Sequence, residues 1–160
     1  MKKRLLVLVF AMCICVCINA LPAQANMLKY SAVPTSGTPS SNKDQAMTTM
    51  TSRAAVGFVS YGDGLFRNGN TLTYVGETNA THIATKIGNS IIQVQVWNGY
   101  DWQAVVNGSC YQYDRPSCTF GGNYSATSGK YYRVAGSHLA TIQGVNYTTG
   151  MNYSDYIYVP

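Results

Sequence analysis

The chain has few charged residues for its length of 160: 11 are Lys or Arg, and 6 are Asp or Glu. This 11% charged fraction is less than half of the share in typical globular proteins. Because the apolar fraction is an ordinary 46%, the chain is not a highly charged disordered polymer. It also lacks the clustered Lys and Arg of a nucleic-acid-binding protein. We therefore expect a globular domain that has no nucleic-acid partner.

Groups for acid–base or metal chemistry are also scarce. His82 and His138 are the two histidines, and neither has Cys or carboxylate neighbours at the spacing of a zinc site. The sequence has no nucleophile elbow, phosphate-binding loop or dinucleotide fingerprint. We predict no metal, no cofactor and no enzymatic activity. A hydrolase is the third hypothesis for function, and it requires a pocket that gathers a histidine with a carboxylate.

Residues 1–25 have the three parts of a secretory signal peptide. The basic residues 2–4 precede an apolar stretch, 5–18, that is shorter than the roughly 20 residues of a membrane span. Ala23 and Ala25 then form an Ala-x-Ala cleavage site. We predict cleavage after Ala25 and a secreted or cell-envelope protein with no integral membrane segment after cleavage. An uncleaved N-terminal anchor is the alternative.

Removal of the predicted signal changes the cysteine and charge counts. Of the five cysteines, Cys110 and Cys118 are the two that lie beyond residue 25. An isolated pair in an exported chain is most simply a disulfide, so we predict a Cys110–Cys118 bond, with two buried thiols as the alternative. Three basic residues leave with the signal, so eight basic residues remain against six acidic ones. Attraction to polyanions should therefore be weak.

The sequence after residue 25 divides into a polar segment, 26–53, here called the leader, and one domain, 54–160. Residues 31–52 include ten Ser or Thr, together with Pro and Gly, and have no aliphatic periodicity. This composition is typical of a flexible chain, so we predict a Ser/Thr/Pro-rich linker over 26–53. The β-domain is then predicted over 54–160, a length sufficient for one hydrophobic core.

The pattern within the predicted domain is that of β-strands. Ile92, Val94 and Val96 alternate with Gln, which is the period of two of a half-buried strand. Asn98-Gly99 follows, a strong hairpin signal, and no segment has a helical period with caps. We predict an all-β fold, an antiparallel β-sandwich of immunoglobulin or fibronectin-III type with about seven strands. A small closed barrel is the alternative.

Two aromatic residues favour the immunoglobulin-like version of the sandwich. Trp97 ends the predicted central strand, where a buried Trp is expected. Tyr132 precedes Val134 by two residues in a late strand, which is the spacing of a tyrosine corner with Val in place of the second Cys.

Aromatic residues are also the candidates for a binding site. Aromatic rings pack on the C–H groups of sugars while neighbouring amides bond the hydroxyls, and Tyr and Trp are enriched at protein interfaces. Cross-strand pairs that stabilise the sheet are the alternative role. The candidates flank the Asn-Gly turn or lie in the segment between the two cysteines: Trp97, Tyr100, Trp102, Tyr111 and Tyr113.

Four segments, in this order, resemble a family of small secreted proteins of Gram-positive bacteria that is described as a domain of unknown function. They are Val75-Gly-Glu-Thr78, Asn98-Gly-Tyr-Asp-Trp102, residues 129–138 with the pattern Tyr-Tyr-Arg-Val-x-Gly-x-His, and Tyr156-Ile-Tyr-Val159. The resemblance covers about residues 71–159. It implies export and a β-sandwich, and it implies no particular activity.

The sequence departs from this family's pattern at two places. Members carry an acidic residue after the Gly downstream of the His, whereas Val145 follows Gly144 here. The cysteine pair does not belong to the pattern. Any role of that acidic residue in the family therefore does not transfer to this chain.

Two hypotheses for function follow from the sequence. The first is a secreted or envelope-associated, non-enzymatic β-domain that binds cell-wall glycan or a surface protein through exposed aromatics. The alternative is a small secreted antagonist, similar to a bacteriocin or toxin, which fits the small size, the export signal and the slight positive charge.

Overall fold

A computed structural model of the chain describes residues 31–51 and 57–160. The predicted signal peptide lies outside these described residues. Within them, no helix occurs that could cross a membrane. The described residues form ten strands: β1 (Gln45–Thr51), β2 (Phe58–Asn68), β3 (Thr71–Ala84), β4 (Lys86–Trp97), β5 (Trp102–Gln112), β6 (Arg115–Ser125), β7 (Lys130–Ile142), β8 (Val145–Thr148), β9 (Asn152–Tyr153) and β10 (Ile157–Val159).

The strands form two antiparallel sheets that pack together. The first sheet has the order β1-β2-β3-β6, and the second has the order β10-β7-β4-β5, with β8 and β9 also paired to β7. Thus β3 pairs with β6 in one sheet while β4 pairs with β7 in the other. Immunoglobulin sandwiches pair strand B with E, and strand C with F, in the same way. The predicted all-β sandwich is confirmed.

The described residues contain ten strands, whereas about seven were expected. β1 lies within the segment predicted as a flexible linker, and it pairs with β2 from Gln45↔Phe66 to Thr51↔Ser60. The sandwich therefore begins before the boundary predicted at residue 54. Strand pairing uses backbone groups, so a Ser/Thr-rich sequence without apolar periodicity can still add a strand at a sheet edge. β8 and β9 are short strands of four and two residues.

Strand β4 and the turn that follows it show how local sequence signals position the centre of the second sheet. Ile92 and Val94 are fully buried in the core, as their period of two predicts. Val96, however, is half-buried and Gln95 is buried, so the alternation does not extend to the end of the strand. The following Asn98-Gly99 turn joins β4 to β5, and Gly99 adopts a φ of 103° that favours glycine. The side chain of Asn98 accepts hydrogen bonds from two backbone N–H groups within the turn.

The core is divided into two apolar clusters. The first includes Leu65, Leu72, Ile92, Val94, Tyr132, Val134, Ile157 and Val159. The second consists of Phe58, Ala80, Ala84, Ile87, Cys118, Ala140 and Ile142. Four strands, β2, β3, β4 and β7, contribute residues to both clusters. In each of these strands, a buried polar residue lies between the residues of the first cluster and those of the second. These polar residues are Asp63, Thr78, Asn89 and His138.

A tyrosine corner is present at the start of β7. The Tyr132 hydroxyl accepts a hydrogen bond from the backbone N–H of Thr127 at 2.9 Å and donates one to the Thr127 carbonyl at 3.3 Å. Tyr132 is buried, and Val134 occupies the core position two residues later. The prediction made from the Tyr132–Val134 spacing is confirmed, because the hydroxyl closes the turn that precedes this late strand.

The predicted Cys110–Cys118 disulfide is wrong. The two cysteines are 4.2 Å apart and both thiols are free, whereas an S–S bond is about 2.05 Å long. Cys110 lies on β5 of the second sheet and Cys118 on β6 of the first, and both pack in the second apolar cluster. Burial, followed by the neighbouring Cys110 thiol, raises the pKa of Cys118 to about 11. The pair therefore contributes apolar packing through two free thiols, of which Cys118 is buried and Cys110 is half-buried.

Candidate functional site

The five aromatic residues proposed from the sequence do not form one exposed surface. Trp97 and Trp102 are buried, whereas Tyr100 and Tyr113 are 48% and 63% exposed. Tyr111 is half-buried, and the ammonium group of Lys86 lies over its ring at 3.8 Å. Trp102 begins β5 while Tyr111 lies near its end, nine residues further on, which is a distance of roughly 30 Å along a strand.

The N-terminal segment buries the two tryptophans. The Trp97 indole N–H donates to the carbonyl of Ser31 at 2.7 Å, and the Trp102 indole N–H donates to the carbonyl of Ser36 at 3.2 Å. The two indole rings pack edge to face, with centroids 5.6 Å apart. Both tryptophans therefore hold the leader against the second sheet, and neither ring face is open to a ligand.

Arg133 lies in an aromatic sandwich beside these tryptophans. Its guanidinium carbon is 4.4 Å from the centroid of the Trp102 ring and 4.2 Å from that of Tyr153. Its Nε donates to the side-chain oxygen of Gln95 at 2.8 Å. Burial lowers the pKa of Arg133, while Tyr153 and Asp101 act in the opposite direction. The stacked cation fixes the packing of this face of the sheet.

An exposed aromatic surface does occur at the edge of the second sheet. Tyr131 on β7 and Tyr158 on β10 are directly opposite each other in the strand register, and their ring centroids are 4.9 Å apart. Tyr158 is 46% exposed and Tyr131 is half-buried. Both line a cleft of about 290 Å³, here called the tyrosine cleft, together with Pro39, Asn42, Lys43 and Arg67.

One wall of the tyrosine cleft comes from the leader. The backbone N–H of Ser40 donates to the carbonyl of Tyr156, and the N–H of Tyr156 donates to the carbonyl of Thr38. These bonds pair the leader with the chain just before β10. Arg67 is ion-paired with Asp44, so the carboxylate offsets its charge at the cleft. The cleft therefore combines the tyrosine rings of the sheet with the Asn42 amide and the Lys43 ammonium group of the leader, and the leader is fixed to the sheet by these backbone bonds.

A second concentration of polar groups lies inside the sandwich. We call Asp63, Thr78, Asn89 and His138 the buried polar cluster; each is at most 2% exposed. His138 Nε2 lies 3.3 Å from Asp63 Oδ2, and His138 Nδ1 lies 2.9 Å from the Thr78 hydroxyl oxygen. The amide nitrogen of Asn89 is 3.3 Å from the same Nδ1. Two residues come from each sheet, so the cluster joins the sheets through side chains.

The contacts of the buried polar cluster define the roles of the imidazole nitrogens. The tautomer that makes all three contacts hydrogen bonds has the imidazole proton on Nε2, which donates it to the acceptor oxygen of Asp63. Nδ1 then accepts from the Thr78 hydroxyl and from the Asn89 amide. The Asp63 Oδ1 and Asn89 Oδ1 atoms are buried without a hydrogen-bond partner among the described residues. Such unpaired buried oxygens are costly, so their presence calls for a physical explanation.

Two glycines make room for the cluster, one in each sheet. A Cβ atom at Gly76 would lie 2.5 Å from Asn89 Nδ2 and 2.9 Å from its Cγ. A Cβ atom at Gly136 would overlap the carboxylate of Asp63. The polar side chain from each sheet therefore occupies the space above a glycine of the opposite sheet.

The cluster has the groups that the hydrolase hypothesis requires but lacks an opening. His138 is within hydrogen-bond distance of Asp63, so the condition that would have eliminated this hypothesis is not met. However, His138 and Thr78 have no exposed surface, and the ring of Tyr61 covers the imidazole at 5.0 Å between centroids. His82 is exposed and bonds to Thr81. The described residues contain no group of three or more His, Cys, Asp or Glu that could hold a metal.

No family model, curated protein or solved structure matches this chain. The candidate sites are therefore judged on their own geometry. Sequence reasoning missed Tyr131 and Tyr158, whose proximity depends on the pairing of β10 with β7. It also missed the partners of His138, although the segments Val75-Gly-Glu-Thr78 and 129–138 contain both glycines, Thr78 and the histidine. The available signal was the same spacing in both segments, because Gly76 precedes Thr78 by two residues and Gly136 precedes His138 by two residues.

Proposed function

We propose that this protein is exported and acts as a non-enzymatic binding domain for cell-envelope glycan, with the tyrosine cleft as its site. The observation that carries the proposal is the pair of adjacent tyrosine rings, Tyr131 and Tyr158, which line a cleft of about 290 Å³. Export is supported by the signal-like pattern of residues 1–25 and by the resemblance to secreted proteins of Gram-positive bacteria.

The chemistry of the cleft suits a sugar chain. Aromatic faces bury the C–H faces of pyranose rings, while hydroxyl and amide groups replace the water bound to sugar hydroxyls. The Tyr158 ring is exposed along the edge strand β10, and Asn42 lines the same cleft. Lys43 adds a positive charge, which favours glycans that carry carboxylate or phosphate groups.

A binding role accords with the closed state of the buried polar cluster. Turnover of an external substrate would need access to His138, and this residue is fully buried. None of the five aromatics proposed from the sequence lines the tyrosine cleft, whose tyrosines are Tyr131, Tyr156 and Tyr158. Tyr113 is the most exposed of those five and does not line the tyrosine cleft, so it serves as the internal control.

The test is sedimentation with purified cell wall, together with a glycan array, for wild type and for two single variants. Loss of the Tyr158 ring in Tyr158→Ala should weaken binding about tenfold or more, equivalent to about 1.4 kcal/mol. Tyr113→Ala removes an exposed ring elsewhere and should bind as wild type.

Three results would count against the proposal. Wild-type protein that binds neither cell wall nor any arrayed glycan overturns the glycan assignment. Equal binding by Tyr158→Ala and wild type overturns the cleft. Loss of binding in Tyr113→Ala alone moves the site to the turn between β5 and β6.

A further inference from the structure

The buried polar cluster brings a hydroxyl, an imidazole and a carboxylate into contact, the three groups that activate a nucleophile for acyl transfer. Thr78 supplies a hydroxyl nucleophile, and His138 supplies a base in contact with it at 2.9 Å. Asp63 holds the other imidazole nitrogen at 3.3 Å. This order of hydroxyl, imidazole and carboxylate is the arrangement that activates nucleophiles in enzymes of unrelated folds. Here it is sealed from solvent, so its electrophile must be part of the protein.

Asn89 provides that electrophile. Its carboxamide nitrogen lies 3.3 Å from the same His138 Nδ1 that contacts the Thr78 hydroxyl. One nitrogen can therefore take the proton from the nucleophile and deliver it to the leaving group, which is the double role of the base in acyl transfer. The side chain of Asn89 is held in place by the sheet opposite, because it lies directly above Gly76.

We infer that the cluster joins Thr78 to Asn89 by an intramolecular ester bond. The hydroxyl oxygen of Thr78 attacks Cγ of Asn89 while its proton passes to Nδ1 of His138. The Cγ–Nδ2 bond then breaks, and the proton on Nδ1 goes to the leaving nitrogen. The products are an ester and one molecule of ammonia, with no oxidant, reductant or other reagent consumed. Asp63 gains and loses no atom in this step and acts as a positioning residue for the imidazole.

The surroundings of Asn89 favour this reaction. Its carbonyl oxygen is buried and has no hydrogen-bond partner among the described residues, so the amide is an unfavourable group at this position. An ester carbonyl is a weaker hydrogen-bond acceptor and is better suited to the same site. Full burial of Thr78, Asn89 and His138 also excludes water, which would otherwise hydrolyse the product.

The bond would connect the two halves of the sandwich. Thr78 lies on β3 in the first sheet, and Asn89 lies on β4 in the second. These strands are consecutive, so the bond would close a short covalent ring across the core. It would act as a permanent tie between sheets whose two cysteines are not joined by a disulfide.

Peptide mass spectrometry of the purified full chain tests the inference directly. Trypsin cleaves after Lys86 and so separates Thr78 from Asn89 unless a covalent bond joins them. The expected result is one linked species whose mass is the sum of the two peptides less about 17 Da, the mass of the ammonia that acyl transfer releases. Two separate peptides of unmodified mass overturn the inference, and this measurement needs no variant.

Variants then test the role of each group. Thr78→Ser keeps the hydroxyl and should retain the linked species, whereas Thr78→Val and His138→Gln should give separate peptides. The matched control is Thr73→Val, because Thr73 bonds to Asn123 at 2.8 Å on the exposed face without a histidine. Linkage that persists in Thr78→Val overturns the assignment of the nucleophile, and linkage that persists in His138→Gln overturns that of the base.

Discussion

Replacement of Gly76 by Ala should destabilise the sandwich more than its small size suggests. The added Cβ would lie 2.5 Å from the amide nitrogen of Asn89, so Asn89 must move within a fully packed interior. Overpacking of this kind costs about 1–3 kcal/mol. Displacement of Asn89, as the amide or as the inferred ester, also disturbs its contacts within the buried polar cluster, at a cost of about 1 kcal/mol. We expect a loss of about 2–4 kcal/mol from a total that is typically about 5–15 kcal/mol.

Urea unfolding followed by tryptophan fluorescence measures this loss. The matched control is Gly150→Ala, because a Cβ atom at Gly150 meets no heavy atom within 4 Å. It should change the free energy of unfolding by less than about 0.5 kcal/mol. In an Asn89→Ala background, Gly76→Ala should cost at least about 1 kcal/mol less, since the overlapping atoms are gone. A full cost in that background, or an unchanged midpoint for Gly76→Ala alone, would refute the reasoning.

Two further predictions concern the core. Tyr132→Phe removes the hydroxyl that bonds the backbone N–H and carbonyl of Thr127. We expect the free energy of unfolding to fall by about 1–2 kcal/mol in the same urea assay. An unchanged free energy of unfolding would contradict a structural role of the tyrosine corner. The Cys118 thiol has its pKa raised to about 11, so at pH 8 it stays protonated, and iodoacetamide should label it only after unfolding. Rapid labelling in the folded protein would contradict its burial.

The fold was largely predictable because its signals are local. The alternation of Ile92 and Val94 with Gln identifies a half-buried strand, and Asn98-Gly99 marks the hairpin that follows. Tyr132 and Val134 indicate the tyrosine corner through a spacing of two residues. Each of these features depends on residues that are neighbours in sequence, and the structure places them as expected.

The features that were missed depend on contacts between distant parts of the chain. β1 has no apolar period, and the leader is held by tryptophans located 66 residues further on. The disulfide was predicted because an isolated cysteine pair remains in a chain that is expected to be exported. The structure instead places Cys110 and Cys118 on strands of different sheets, where both serve as apolar side chains.

The candidate sites were predictable only in part. Exposed aromatics were expected, but burial of Trp102 and exposure of Tyr158 follow from the path of the leader and the position of β10. His138 was one of the two histidines that the hydrolase hypothesis could use, whereas its contact with Asp63 spans 75 residues of sequence. Such contacts become visible only when the register of both sheets is known.

Chemical footprinting of tyrosines tests the central claim most directly. The protein is nitrated with tetranitromethane in the presence and absence of soluble cell-wall fragments, and modification is quantified for each tyrosine by peptide mass spectrometry. We predict that the fragments protect Tyr158 in the tyrosine cleft and leave the exposed Tyr113 as reactive as before. Protection of Tyr113 without protection of Tyr158 would contradict the proposed glycan site.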